Sequence, residues 1–274
     1  MDRSPEPRRR THPAADDLGA DRYLGGRDLT RWTSAGGRAL AQAAHRLSRT
    51  VGPHSTLMLV LTVGAALAAL LAWQAGETYE AVTDGDGVAQ LDHPVLRAVI
   101  GLRTPALDSL VTGYTNIAGS VVMPILAVLA MIVMALARRS WTPVLLITAT
   151  GLGSLAMTVS GKNLIGRARP SQADAVPPYE HSASFPSGHT LNAVAIVGIV
   201  AYLLVLRQHR WWTRLLTVSV AGLFAVTIGL SRVFLGHHWL TDVLAAWLLG
   251  AAWLAMVITA HRLHLTVRRR RRPV

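Results

Sequence analysis

Three short stretches carry the side chains best equipped for chemistry. The first is Lys162 with Arg169-Pro170, the second is SFPSGHT from Ser184 to Thr190, and the third is SRVFLGHHWLTD from Ser231 to Asp242. Lys162, Arg169 and Arg232 are three cations suited to a bound phosphate, arginine as a donor fork and lysine as a point charge. Pro186-Ser187-Gly188 predicts the opening of a helix with Ser187 at its N-cap. The backbone N–H groups there, with Gly188 allowing close approach, make an anion site. His189 and His238 offer an acid and a nucleophile. Asp242 follows His238 by four residues, so a helix that starts by there puts both on one face. A carboxylate on one ring nitrogen leaves the other free to attack. His237 is adjacent, and only the carboxylate four residues on separates His238 from it. Each piece alone has a plainer reading as a cap, an interfacial anchor or a loop turn. His93 and His181 read as surface residues.

Lys162 is unusual in another way. Of 27 Lys and Arg residues, 26 are Arg and only this one is Lys. A phosphate pocket that already holds Arg169 and Arg232 favours a compact ammonium over a third planar fork. Lys162→Arg is therefore expected to lose turnover, or else the solitary lysine is chance. Arg167 lies off the motif spacing, and Arg167→Lys is expected to change little.

The elements that must hold these stretches are membrane helices. The chain is 51% hydrophobic and only 15% charged, against about 25% charged in soluble proteins. Six stretches approach the roughly 20 apolar residues a spanning helix needs: Thr56 to Trp73, about Ile117 to Ala137, Trp141 to Ser160, Thr190 to Leu206, Leu215 to Leu230 (with a continuation to Leu235 left open), and Val243 to Ala260. None contains Asp, Glu, Lys or Arg. The first follows some fifty residues and lacks a small-x-small cleavage site, so it reads as a retained span rather than a signal peptide. Between and beyond these spans, 21 of the 27 basic residues fall on one side and six on the other. The basic side is cytoplasmic. The fold expected is all-α, an integral membrane bundle of six transmembrane helices with both termini cytoplasmic. All three chemical stretches then face the periplasm or cell exterior.

Residues 1–50 form a basic cytoplasmic region whose start is too polar to fold. Leu29, Trp32, Leu40, Ala44 and Leu47 recur at helical spacing, which fits either an interfacial helix on anionic lipid or a solvated basic tail. Residues 51–262 are the membrane domain and 263–274 an arginine-rich tail. The net charge of +12 thus finds its partner in anionic headgroups at the termini, and nucleic acid is not expected. Part of residues 77–116 is expected along the membrane surface. The absence of cysteine excludes disulfides, Cys-ligated zinc and thiol catalysis.

In order and spacing, Lys162-x6-Arg169-Pro170, Pro186-Ser187-Gly188-His189 and Ser231-Arg232-x5-His238-x3-Asp242 resemble the three-part signature of the type 2 phosphatidic acid phosphatase family. The resemblance covers about residues 55–262. It implies a membrane phosphatase in which His238 takes the phosphoryl group and Asp242 orients it. His189 then protonates the leaving oxygen and later activates water. Lys162, Arg169, Arg232, Ser187 and the Gly188 amide hold the phosphoryl oxygens. It also implies no metal and no cofactor, in keeping with the lack of a carboxylate cluster for a hard cation. The leading substrate by resemblance is undecaprenyl diphosphate. The alternatives are phosphatidic acid, phosphatidylglycerophosphate, or transfer of the phosphoryl group to an acceptor alcohol. A non-catalytic transporter or scaffold has no need of three intact motifs.

Overall fold

In a computed structural model, residues 21–24, 27–52 and 88–270 are described. The expected first span, Thr56 to Trp73, lies outside them. The described chain is helical apart from a small antiparallel hairpin, β1 (Tyr23–Leu24) with β2 (Arg27–Asp28), in which Tyr23 faces Asp28. The helices are α1 (Ala35–Val51), α2 (Asp92–Ile100), α3 (Pro105–Thr115), α4 (Val122–Arg138) and α5 (Thr142–Ile165), followed by α6 (Gly188–Arg207), α7 (Trp211–Phe234) and α8 (Leu240–Arg270). Among the described residues, α5, α6, α7 and α8 are long and apolar enough to cross a membrane. A fifth crossing is made if α3 and α4, bent 46° apart, act as one span. The outer segment expected along the surface contains α2 and α3.

The core lies where α5, α6 and α8 meet. Leu146, Met157, Leu191, Ile199, Leu203, Trp253 and Val257 are all buried there. Gly153 lets α8 come close: a Cβ at that position would lie 2.1 Å from the Trp253 ring. The indole N–H of Trp253 donates to the Thr150 carbonyl at 3.1 Å. Small residues at such crossings are how helices associate where no hydrophobic effect separates protein from solvent. The outward faces are apolar too. Val128, Leu129, Ile132 and Leu136 of α4, with Leu215, Leu216, Val220 and Leu223 of α7, are exposed. Water would not tolerate that much contiguous apolar surface; lipid does.

Three spans run further than their apolar cores. α5 continues past Ser160 to include Lys162, α7 past Leu230 to include Arg232, and α8 to Arg270. α6 carries a π-turn at Ala193–Val197. The amphipathic basic segment is a helix, α1. Its N-cap is Ser34, whose hydroxyl accepts from the Gly37 N–H at 3.1 Å. It is packed on α8 through Ala44 against Leu263 and Val267, so the α8 helix runs straight through residue 263, where the tail was expected to start. The Trp32 indole donates to Thr266 Oγ1 at 3.1 Å, and the Arg262 guanidinium lies 4.4 Å over the Trp32 ring. Asp21 pairs with Arg138 at 3.3 Å and Arg207 at 3.4 Å, tying the N-terminal segment to the ends of α4 and α6.

Candidate active site

All eight expected site residues gather at one end of the bundle. Lys162 is in the last turn of α5 and Arg232 in the last turn of α7. Ser187, Gly188 and His189 open α6. Arg169 lies on the irregular stretch after α5, and His238 and Asp242 straddle the start of α8. One close contact sets this assembly. Gly161 lies against Pro186, where a Cβ would be 2.4 Å from the ring. That contact seats the Pro-Ser-Gly-His turn beside Lys162.

His238 is 1% exposed. It precedes α8, which begins at Leu240, so it does not share a helical face with Asp242 as the spacing suggested. The pairing is made instead by a turn. Asp242 reaches back to the Trp239 N–H with Oδ2 at 3.0 Å, the return half of a capping box. The same oxygen accepts from Ser184 Oγ at 2.5 Å and lies 3.5 Å from His238 Nδ1. Its other ring nitrogen, Nε2, is 3.2 Å from Nη1 of Arg169. A guanidinium only donates, so Nε2 presents its lone pair and the proton sits on Nδ1, beside Asp242. The unprotonated nitrogen is therefore the one that faces Arg169. Burial pushes the His238 pKa down to about 4, against the pull of Asp242, which favours the neutral ring.

The two adjacent histidines divide cleanly. His237 donates Nε2–H to the Val176 carbonyl at 2.7 Å and latches the loop before α6. Burial, with help from Arg232, pushes its pKa down to about 4. His93 and His181 are exposed as expected; His93 packs edge-on to Trp239, 4.8 Å between centroids. Ser187 stands at the N-cap of α6, but its side chain makes no capping bond. Its Oγ accepts instead from Thr190 Oγ1 at 2.9 Å. The capping expectation is thus corrected to a buried hydroxyl at the helix mouth.

The cations are preassembled around an anion that belongs to the protein. Glu180 offers Oε2 to Arg169 at 2.7 Å and Oε1 to Arg232. Burial disfavours its charge, but Arg232 and then Arg169 outweigh that and hold its pKa down to about 2. Arg232 is 2% exposed and its Nε has no hydrogen-bond partner. Glu180 was not expected at the site, because it lies in an irregular loop with no periodicity to aim it.

Arg167 overturns an expectation. Far from being off the site, it donates to Asp242 Oδ1, to Thr241 Oγ1 at 2.9 Å and to Asp92 Oδ2 at 2.8 Å. Two residues apart and followed by Pro170, which biases its neighbour toward extended backbone, Arg167 and Arg169 can share a face. That was the available signal. Arg167→Lys loses the fork that spans both carboxylates and is expected to impair turnover.

Lys162 Nζ donates to Ser182 Oγ at 2.8 Å and to the Ala183 carbonyl at 2.7 Å. Arg169 Nη2 uses the same two acceptors, at 3.1 and 3.4 Å. A second guanidinium would contest them and displace the first. Lys162→Arg is expected to insert normally and lose turnover on the order of 10- to 100-fold, since a small misplacement has effects of that size. Phosphate release at matched expression is the measurement; near-wild-type turnover would mean that charge alone suffices there.

Two cavities meet at this end. One, of about 630 Å³, runs between α4 and α5 along Met123, Val128, Met131, Ile147 and Leu155 to Lys162, His189 and His238. The other, of about 410 Å³, is lined by Arg167, Arg169, Gln172, His181 and His237. Glu180 and Ser182 line both.

A membrane-embedded phosphatase acting on lipid phosphates is the class that this fold and site define. The comparisons agree. Residues 142–265 match the PAP2 superfamily. Over 171 residues the chain is 34% identical to phosphatidylglycerophosphatase B of Bacillus subtilis (strain 168), covering 60% of this chain and 80% of that protein. A 75-residue stretch is 39% identical to undecaprenyl-diphosphatase of Sulfolobus acidocaldarius, 27% of this chain and 31% of that one. The crystal structure of a transmembrane PAP2 type phosphatidylglycerolphosphate phosphatase from Bacillus subtilis superposes with a TM-score of 0.59 at 30% identity, over 75% of this chain and 93% of that chain. The chain belongs to the PAP2 superfamily.

Proposed function

We propose that the protein hydrolyses the phosphomonoester of phosphatidylglycerophosphate through a phosphohistidine on His238, without a metal, at the outer face of the cell membrane. The observation that carries this is the apolar cavity between α4 and α5 ending at Lys162, His189 and His238. A phosphate site with an apolar cavity between helices suits a phosphate that arrives on a lipid. The choice of headgroup follows the longer match, to phosphatidylglycerophosphatase B, rather than the short one to undecaprenyl-diphosphatase. That reverses the order of substrates expected from the sequence.

In this reading the phosphate displaces Glu180 from Arg169 and Arg232 and takes Lys162 and the Gly188 N–H as further donors. His238 Nε2 attacks phosphorus while Asp242 holds Nδ1–H and offsets the charge that grows on the ring. His189 gives its proton to the departing glycerol oxygen. It then takes a proton from water, whose oxygen attacks the phosphohistidine and restores His238 with release of inorganic phosphate. Fixed donors aimed at the phosphoryl oxygens supply the electrostatic stabilisation. Metal independence is part of the proposal and is tested by EDTA; among the described residues no group of three His, Cys, Asp or Glu side chains is placed to hold a metal ion.

Phosphate release by purified protein over a lipid panel, with and without EDTA, is the test. Phosphatidylglycerophosphate is expected to be turned over fastest and EDTA to have no effect. Faster release from undecaprenyl diphosphate would restore that substrate, and a phosphorylated acceptor in place of free phosphate would make the protein a phosphotransferase. Orientation has its own measurement. Ala173 is exposed on the motif side and the chain has no cysteine. Ala173→Cys is expected to react with an impermeant thiol reagent in cells whose outer envelope admits it. Labelling only after lysis inverts the topology and ends the outer-face reading.

A further inference from the structure

Asp92 sits at the first position of α2, outside the family-matched residues 142–265. It is a charged residue only 3% exposed, and burying a carboxylate is costly unless it is paired. Three of its hydrogen bonds go to the catalytic end. Oδ1 accepts from the Thr241 N–H at 2.9 Å. Oδ2 accepts from Thr241 Oγ1 at 2.7 Å and from Arg167 Nη2 at 2.8 Å. Arg167 uses its other nitrogen, Nη1, on Asp242 Oδ1. One guanidinium therefore spans two buried carboxylates, and the second of them holds His238. Trp239, next to His238 in sequence, is fixed by the same groups. Its ring lies 5.6 Å from the Arg167 guanidinium and edge-on to His93, and its indole N–H donates to the Ala168 carbonyl at 2.9 Å.

We propose that Asp92 is a positioning residue for phosphoryl transfer, acting through Arg167 on Asp242 and so on His238. Geometry and charge both require it. Arg167 has a planar fork whose two ends are aimed only if both have acceptors. With Asp92 in place, Arg167 is shared, and Asp242 keeps negative charge available for the imidazole as it becomes cationic during attack. Without Asp92 more of the guanidinium charge falls on Asp242, which is then drawn toward Arg167 and holds His238 less well. Among the described residues, the groups facing Asp92 include Arg167, Thr241, Asp242 and His93, and those facing His238 include Asp242, Ser184, Arg169 and Arg232. The hydrogen bonds of Asp92 lead to Thr241 and Arg167 rather than to Lys162, Arg169 or Arg232, so Asp92 should act on the chemical step and leave substrate capture alone.

The inference rests on the phosphohistidine reading, and the experiment separates the two. Full-length wild type, Asp92→Asn and Asp92→Glu are assayed for phosphate release from phosphatidylglycerophosphate, with kcat and KM determined separately. Labelled phosphoenzyme is trapped in wild type in parallel. If wild type forms no phosphoenzyme, the phosphohistidine reading fails, and the Asp92 proposal falls with it. If it does, Asp92→Asn is expected to lower kcat on the order of 10- to 100-fold and change KM by less than about threefold, with Asp92→Glu recovering part of kcat. The decisive comparison is in an Arg167→Ala background. Residues that act as one unit are non-additive, so Asp92→Asn should there cost less than about threefold. An equal loss in both backgrounds, a change in KM alone, or no loss in either would overturn the proposal. Helical content and melting temperature of each variant identify a protein that has merely unfolded; in that event Asp92→Glu, which keeps the charge, carries the same comparison.

Discussion

His238→Ala is expected to release no measurable phosphate from any lipid while remaining folded and inserted. Loss of a nucleophile that acts with its partners as a unit lowers turnover by on the order of a millionfold, which puts the variant below detection. The protein should survive the change because the groups around His238 do not depend on it. Asp242 keeps Ser184, the Trp239 N–H and Arg167 as donors. Arg169 keeps Glu180 and the His237 carbonyl. What is lost is a buried ring, not the pairing of a buried charge. The measurement is acid-quenched trapping of labelled phosphoenzyme, alongside a melting curve. Label in wild type and none in the variant is the expected result. Label that persists in His238→Ala moves the nucleophile elsewhere.

His189→Ala should fail differently. His189 is the second residue of α6 and lines the same cavity as His238. Without it a glycerol oxygen must leave unprotonated and water must attack unaided, and general acid–base help of this kind contributes about a hundred- to ten-thousandfold. The lipid substrate should therefore lose activity by that factor. A nitrophenyl phosphate needs no proton on its leaving group, so with it the first step survives and the second does not. The expected observation is a burst of nitrophenol equal to the enzyme present, then a stall with phosphate held on His238. Equal losses on both substrates, with no accumulated phosphoenzyme, would remove His189 from the acid–base role.

The sequence carried the site better than it carried the edges of the fold. Charged and glycine residues at the ends of apolar runs are conspicuous, so Lys162, Arg169, Ser187, Gly188, His189, Arg232, His238 and Asp242 could be picked out and do come together. The same contrast misled the span limits. The apolar run before the first motif was cut at Ser160, whereas α5 continues through Lys162, and of the two ends open for the fifth span, Leu230 and Leu235, α7 runs to Phe234 through Arg232, because those charges have partners inside the protein. Periodicity says nothing of irregular segments, which is why Glu180 went unseen and Arg167 was set aside. Asp92 was hidden for another reason: its partners are separated from it by 75 and 149 residues, and no local pattern reports such a contact. The hairpin at Tyr23–Asp28 is too short for an alternation to register.

Glu180 stands in the wall between the apolar cavity and the polar one, touching both. Hydrolysis of a lipid phosphate makes two products with opposite solubilities, an oily alcohol and a small anion. The alcohol can slip back along α4 and α5 into the bilayer, while the anion has a hydrophilic vestibule on the other side of the partition. A carboxylate that closes again on Arg169 and Arg232 competes with phosphate for its last ligands and leaves no empty berth for it to rebind. On the proposed mechanism the partition at Glu180 would sort the two products into oil and water, with the Glu180 pairs to Arg169 and Arg232 as the element that closes the phosphate site between turnovers.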